Sequence, residues 1–134
     1  MKVTLDTNTI QCINLFNNLT RCSVIDCIDE DDELYFVVGE GQYGLAVGKG
    51  GSTIRNAERV FKKNIKVFEY SDDLERFIRN LVPEAQEVNI DDKEVVVKIK
   101  PQDRARVIGR SGKNIRIIKM LLERFFEVQH FRVK

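Results

Sequence analysis

Two apolar stripes at helical spacing stand at corresponding points of the chain. Cys12, Leu15, Phe16 and Leu19 fall at i, i+3, i+4 and i+7, and Leu74, Phe77, Ile78 and Leu81 repeat that spacing. Residues at these intervals share one face of an α-helix, so each stripe predicts an amphipathic helix. Asp6 or Thr7 precedes the first and Ser71 and Asp72 the second, where a short polar side chain caps a helix. The period then changes. "SVIDCIDEDDELYFVV" places an acidic turn between two apolar runs, and "QEVNIDDKEVVVKI" does the same with Asp91 and Asp92 at the turn. Val95, Val97 and Ile99 alternate with Val96, Lys98 and Lys100, the period of two of a half-buried strand. Each segment predicts a β-hairpin. Helical spacing returns at Ile54, Ala57 and Phe61 and at Ile115, Ile118 and Leu122, and the β-rich runs "IKVFEY" and "FEVQHFRV" close the two halves.

The chain therefore aligns with itself. "VGKGGSTIRNAERVFKK" lies over "IGRSGKNIRIIKMLLER" at an offset of 61 residues. Val47 meets Ile108, Gly48 meets Gly109, Lys49 meets Arg110, Gly51 meets Gly112, Ile54 meets Ile115 and Arg55 meets Arg116. Each copy is predicted to run helix, strand, strand, helix, glycine loop, helix, strand, which makes an α+β fold with a small sheet against helices. Halves of about 65 residues are barely large enough to bury a core each. Two domains are expected, residues 1–70 and 71–134, packed on one another with almost no linker around Tyr70 and Ser71.

"GEGQYGLAVGKGG" holds two glycine motifs that point to different phosphates. Gly39, Gly41 and Gly44 form the G-x-G-x-x-G of a dinucleotide-binding turn, whereas Gly48 to Gly51 form a G-x-x-G that suits a nucleic-acid backbone. Against the first, Glu69 lies 25 residues past Gly44 where about 20 is usual, and Gly48, Gly50 and Gly51 interrupt the helix that should follow. The repeat also keeps the second motif and loses the first, since "KPQDRA" stands opposite Gly39 to Gly44. Further βαβ units of a Rossmann sheet are missing, and no glycine stands five positions before Gly48 as a Walker A loop requires. The dinucleotide reading is set aside. A lone G-x-x-G is as easily a plain helix–helix turn; two in register, each with aliphatic flanks and a basic helix, favour phosphate binding.

Charge distribution sharpens that reading where net charge, +1, does not. The stretch Asp26 to Glu40 carries seven acids and no base, whereas Lys49 to Lys66 holds six bases against Glu58 alone. Lys98 to Arg124 holds nine bases against Asp103 and Glu123. Both basic segments surround a glycine loop. Glycines admit a sugar-phosphate backbone, the next helix points its free N–H groups at the phosphates, and Lys49 and Arg110 project one cation from each loop. A short aliphatic groove would take about four splayed nucleotides, and with no tryptophan and no aromatic RNP motif, stacking should not dominate. Ser52 and Asn114 either cap the following helices or touch the ligand.

Other chemistries find little support. Cys12, Cys22 and Cys27 form no C-x-x-C pair and the single His130 is remote, so no zinc site or other cofactor is expected and reduced, buried thiols are. A nuclease would need paired carboxylates for metal ions, and its only candidates, Asp29, Glu30, Asp31, Asp32 and Glu33, sit on a hairpin turn. No apolar run reaches the roughly 20 residues of a membrane span. "MKVTLDTNTIQ" turns polar and acidic within six residues, so neither a signal nor a transit peptide is expected, and the expected location is cytoplasmic.

"VIGRSGKNI" closely resembles the signature of KH domains, aliphatic-Ile-Gly-x-x-Gly-x-x-Ile, and "AVGKGGSTI" fits it with Val in place of Ile. The order αββααβ resembles the type II form. "IGRSGKNIR" and the junction "VFEYSDDLERFIRNLVP" are similar to the tandem KH pair of the NusA family, particularly its short archaeal members. Bacterial members also carry a polymerase-binding domain and an OB-fold domain, for which 134 residues leave no room. The resemblance implies two tandem type II KH domains, no enzymatic activity, and binding of nascent single-stranded RNA during transcription elongation or termination. RNA polymerase or other transcription factors are further partners under it, with no membrane, and a monomer is expected. Carried over residue by residue, the RNA contacts are Gly48, Lys49, Gly50 and Gly51 and Gly109, Arg110, Ser111 and Gly112, with Arg55, Lys113 and Arg116 flanking. A tandem KH protein of ribosome assembly or RNA maturation is the nearest alternative.

Overall fold

The computed structural model describes residues 7–30 and 32–134. Asp6 and Asp31, named above as a cap and as part of the acidic turn, lie outside the described residues. The chain divides into two compact units, one ending at Ser71 and the other running Asp72–Lys134.

The first unit runs α1 (Thr7–Thr20), β1 (Val24–Glu30), β2 (Glu33–Val38), α2 (Tyr43–Val47), a 3-10 turn at Lys49–Gly51, α3 (Ser52–Phe61) and β3 (Asn64–Glu69). Strand β2 is central, antiparallel to β1 and parallel to β3, with Phe36 opposite both Cys27 and Val67. Its side chains are buried on both faces, which is why "ELYFVV" reads as a continuous apolar run and not as an alternation. Phe16 of the α1 stripe stacks on Phe36, ring centroids 4.0 Å apart, and Phe61 of α3 closes on the pair at 5.7 Å from Phe36. Cys12, Ile13, Leu19 and Ile54 pack around this cluster. Cys22 and Cys27 are buried and Cys12 half-buried, all as free thiols.

The second unit runs α4 (Leu74–Leu81), β4 (Glu87–Asp91), β5 (Glu94–Lys98), a 3-10 turn at Pro101–Asp103, α5 (Arg104–Ile108), a 3-10 turn at Arg110–Gly112, α6 (Lys113–Phe126) and β6 (His130–Val133). Its sheet has the same plan, β5 lying antiparallel to β4 and parallel to β6. Asp91 faces Glu94, so Asp92 and Lys93 make a two-residue hairpin with Asp92 at φ 54°. Val95, Val97 and Ile99 are buried, as the alternation predicts. The fold is α+β, two αββααβ units of three strands each.

Three local expectations are corrected. The cap of α4 is Asp73, whose carboxylate accepts the Arg76 N–H at 3.1 Å; Ser71 is buried and Asp72 lies one residue too early. The closing run of the second half is not strand from Phe126, because α6 continues to that residue and β6 begins only at His130. Ile117, Leu121 and Phe125 add a second buried stripe beside Ile118 and Leu122, and Phe125 and Phe126 pack on Phe77 at 5.8 and 5.6 Å. That packing holds one more helical turn than α3 has. Neither Ser52 nor Asn114 is a cap: the residues before α3 and α6 are Gly51 and Gly112 in left-handed backbone, with no side-chain cap bond.

Candidate nucleic-acid interface

Each glycine loop joins a five-residue helix to a longer one, α2 to α3 and α5 to α6. The two loops share one backbone path. Gly48 has φ 78° and ψ 170°, Gly109 80° and 171°. Gly50 has 61° and 21°, Ser111 54° and 30°. Gly51 has 79° and 13°, Gly112 74° and 14°. The first position lies in a region that glycine alone populates, and a Cβ there would stand 2.7 Å from the Thr53 nitrogen or 2.8 Å from that of Asn114. Glycine is required there twice over. At the third position a Cβ on Gly50 would meet nothing within 4 Å, and Ser111 occupies the equivalent left-handed site.

The loop bonds leave two N–H groups in each. Gly48 donates to Gly44 O at 2.8 Å, Gly51 to Gly48 O at 3.1 Å, and Ser52 to Lys49 O. Gly109, Gly112 and Lys113 donate in the same pattern to Ala105, Gly109 and Arg110. Among the described residues these bonds account for every N–H from the first glycine to the first helical residue except those of Lys49 and Gly50, or of Arg110 and Ser111. Successive donors ahead of a helix N-terminus form a concave site for an anion.

The side chains of the loop centre are where the sequence expects them. Lys49, Gly50, Arg110 and Ser111 are exposed, and the bounding glycines Gly48, Gly51, Gly109 and Gly112 are half-buried. Arg55 and Arg116 are exposed and Lys113 is half-buried, each within the start of its helix. The two arginines differ in one respect. The Arg55 guanidinium folds back so that a Cβ on Gly51 would stand 2.9 Å from its Nη1, whereas the nearest such neighbour of Gly112 is Ile115 Cγ2 at 3.9 Å. No Arg116 atom comes within 4 Å of that point on Gly112.

Asn114 has a role that the sequence reading missed: its Nδ2 donates to Val107 O at 2.8 Å, tying the start of α6 to the end of α5. A polar residue two past the last loop glycine was the available signal. Glu69, the carboxylate that a dinucleotide reading would aim at a ribose, accepts the Tyr43 N–H at 3.1 Å at the start of α2. In the acidic turn, Asp29 pairs with Lys63 at 2.6 Å and Glu33 accepts the Tyr35 hydroxyl. Burial first, and that bond second, raise the Tyr35 phenol far above its usual range. Burial likewise pushes the Cys27 thiol up. Among the described residues no group of His, Cys, Asp and Glu is arranged to hold a metal ion, and no helix is long and apolar enough to cross a membrane.

Comparison with known proteins bears on the family of the chain. Residues 74–132 match the family model of the NusA-like second KH domain, and residues 14–82 match that of the KH domain. A protein of Methanococcus vannielii named probable transcription termination protein NusA is 40% identical over 121 residues, 86% of this chain and 70% of that protein. Its namesake in Methanocaldococcus jannaschii is 36% identical over 141 residues, 98% of this chain and 75% of that one. That of Thermoplasma acidophilum is 32% identical over 139 residues, 99% and 96% of the two chains. The crystal structure of APE1850 superposes with a TM-score of 0.78 at 31% identity, covering 97% of this chain and all of that one.

Proposed function

The chain belongs to the NusA-like family of KH-domain proteins, and on that premise we propose that it binds nascent single-stranded RNA through both Gly-x-x-Gly loops in transcription elongation or termination. The observation that carries the reading is the common path of the two loops, with two uncommitted N–H groups and one exposed cation in each. A phosphate seated on Gly48, Lys49, Gly50 and Gly51 would accept from the Lys49 and Gly50 N–H groups, with the Lys49 ammonium screening its charge and Arg55 beside it. Gly109, Arg110, Ser111 and Gly112 repeat this, with Lys113 and Arg116 on the flank. The absence of side chains at the bounding glycines lets the backbone approach, while the bases face the aliphatic residues beside the loop.

The modules, residues 1–70 and 71–134, act as binders and not as an enzyme, in the cytoplasm, with RNA polymerase or another transcription factor as protein partner. The names of the relatives, transcription termination proteins, favour this setting over ribosome assembly or RNA maturation. Affinity purification of the tagged chain from cells tests the setting. Enrichment of RNA polymerase subunits is expected; enrichment of ribosomal subunits in their place would transfer the same binding chemistry to the alternative. Incubation of labelled RNA with and without magnesium should leave it uncut.

A further inference from the structure

Beyond the first loop the surface of α3 continues as an open trough of about 920 Å³, lined by Ser52, Arg55, Glu58, Arg59, Lys62 and Lys63 with Asp32 and Asn64 at its end. That volume is within the range of ligand-binding clefts, about 300–1,000 Å³. Its charges are unequally engaged. Glu58 is committed, its Oε2 accepting the Ile65 N–H at 3.0 Å at the start of β3, and Lys63 is committed to Asp29. Arg55, Arg59 and Lys62 make no ion pair among the described residues. Arg55 and Arg59 are one helical turn apart on α3, and Lys62, at the left-handed C-cap of the helix, lines the same trough beyond them. Arg55 also lies against Gly51, which makes the head of the trough continuous with the loop. The second module does not repeat the pair of added cations: at the same offset Met120 stands for Arg59 and Glu123 for Lys62.

We propose that the trough is a second phosphate-binding site, peculiar to the first module, which holds the sugar-phosphate backbone of an RNA strand on its way from the Gly48–Gly51 loop. This rests on the RNA-binding reading above. Cations without acidic partners, lining a trough that leads away from a loop that seats one phosphate, fit a polyanion with regularly repeated charges. Arg55 is the shared contact, while Arg59 and Lys62 are the added ones. The site recognises backbone and carries no base specificity.

The test compares the full chain with an Arg59→Gln/Lys62→Gln variant by fluorescence anisotropy, using labelled single-stranded RNA of about four and about twelve nucleotides. On the longer strand the variant should lose about tenfold in affinity near 0.15 M salt, and its log–log salt slope should fall by about 1.4, two contacts at roughly 0.7 each. On the shorter strand it should match the parent. Arg59→Gln alone, inside the helix, should show half the change in slope, and it keeps the test valid if the substitution at the left-handed Lys62 lowers the melting temperature. Unchanged affinity and slope on the longer strand would overturn the trough while leaving the loops as binders. Equal losses on both strands would also overturn it, since the charges would then act only at a distance. So would intact RNA binding with lost retention on poly-glutamate, which would assign the trough to an acidic protein segment. A parent chain that bound neither strand would remove the underlying RNA reading as well.

Discussion

Gly48 and Thr53 are packed so closely that a Cβ on the glycine would stand 2.6 Å from the threonine Cβ and 2.7 Å from its backbone nitrogen. Gly109 and Asn114 stand in the same relation, at 2.7 and 2.8 Å. Gly48→Ala or Gly109→Ala must therefore both leave a glycine-only conformation and push a helix start away. A loss of about 2–4 kcal/mol is expected for either, read by urea unfolding. Gly50→Ser is the contrast: its space is open and Ser111 already holds that conformation, so it should lose no more than about 1 kcal/mol. Equal costs at Gly48 and Gly50 would show that contact with the next helix does not set the requirement.

Charge reversal at the loop centres should separate binding from folding. Arg110→Asp/Ser111→Asp places two carboxylates on exposed positions, and aspartate tolerates the left-handed backbone of Ser111 better than most residues. RNA affinity should fall more than tenfold with the thermal melt preserved. Lys49→Asp/Gly50→Asp should cost less, because the basic surround of the second loop is denser, with Arg104, Arg106, Lys113 and Arg116 close to it in sequence and only Arg55 as close to the first. Unaltered affinity in the Arg110/Ser111 variant would defeat the assignment of that loop.

How much of this was legible depended on whether neighbouring residues or distant ones decided the matter. The loops, the α4 stripe and the alternation of Val95, Val97 and Ile99 rest on spacing along the chain, and each was readable; the α1 stripe was readable except at Leu15, which is exposed while Ile13 packs on the core in its place. Asp73 was not separable from Ser71 and Asp72, since three consecutive residues can cap and only backbone conformation selects one; Asp73 is extended, φ −92° and ψ 119°. The end of α6 was misread because "FFEV" suits strand or helix equally, and Phe77, far off in sequence, holds Phe125 and Phe126 in the helix. The fold of Arg55 against Gly51 left no trace in the repeat, which aligns it with Arg116 although Arg116 does not lie against Gly112 in the same way.

Single strands should bind better than duplex. Four splayed bases beside a loop of this size leave no room for paired ones, whose edges are turned inward. A labelled single strand should be displaced by an unlabelled copy and far less by the same sequence closed into a hairpin. Equal displacement would mean that the basic helices alone bind, without a groove.

The thiols offer a check on the core of the first unit. Burial, and after it the neighbouring Cys12, Asp26 and Asp29, hold the Cys27 thiol in its protonated form well into alkaline solution. A thiol reagent needs the thiolate, so near pH 8 the half-buried Cys12 should react first while Cys22 and Cys27 wait for unfolding. Raising the pH by a unit should leave Cys27 silent. Three thiols of equal rate in the native protein would contradict the packing around Phe16 and Phe36.

The last expectation concerns two binding loops on one chain. Once one loop has seated a strand, the other meets that strand at a concentration fixed by the tether and not by the solution, provided the strand is long enough to be reached. An oligonucleotide of about four residues should engage one module weakly, and affinity should climb steeply as length approaches about ten or twelve. Salt gives an independent reading of the same event, because each further phosphate neutralised adds roughly 0.7 to the log–log slope on a single strand. A length series titrated at two salt concentrations should therefore show affinity and slope rising together. In Arg110→Asp/Ser111→Asp both should flatten to the behaviour of one loop with its trough. Affinity that stayed level from about four to about twelve nucleotides in the parent chain, with a constant slope, would mean that the loops do not share a strand.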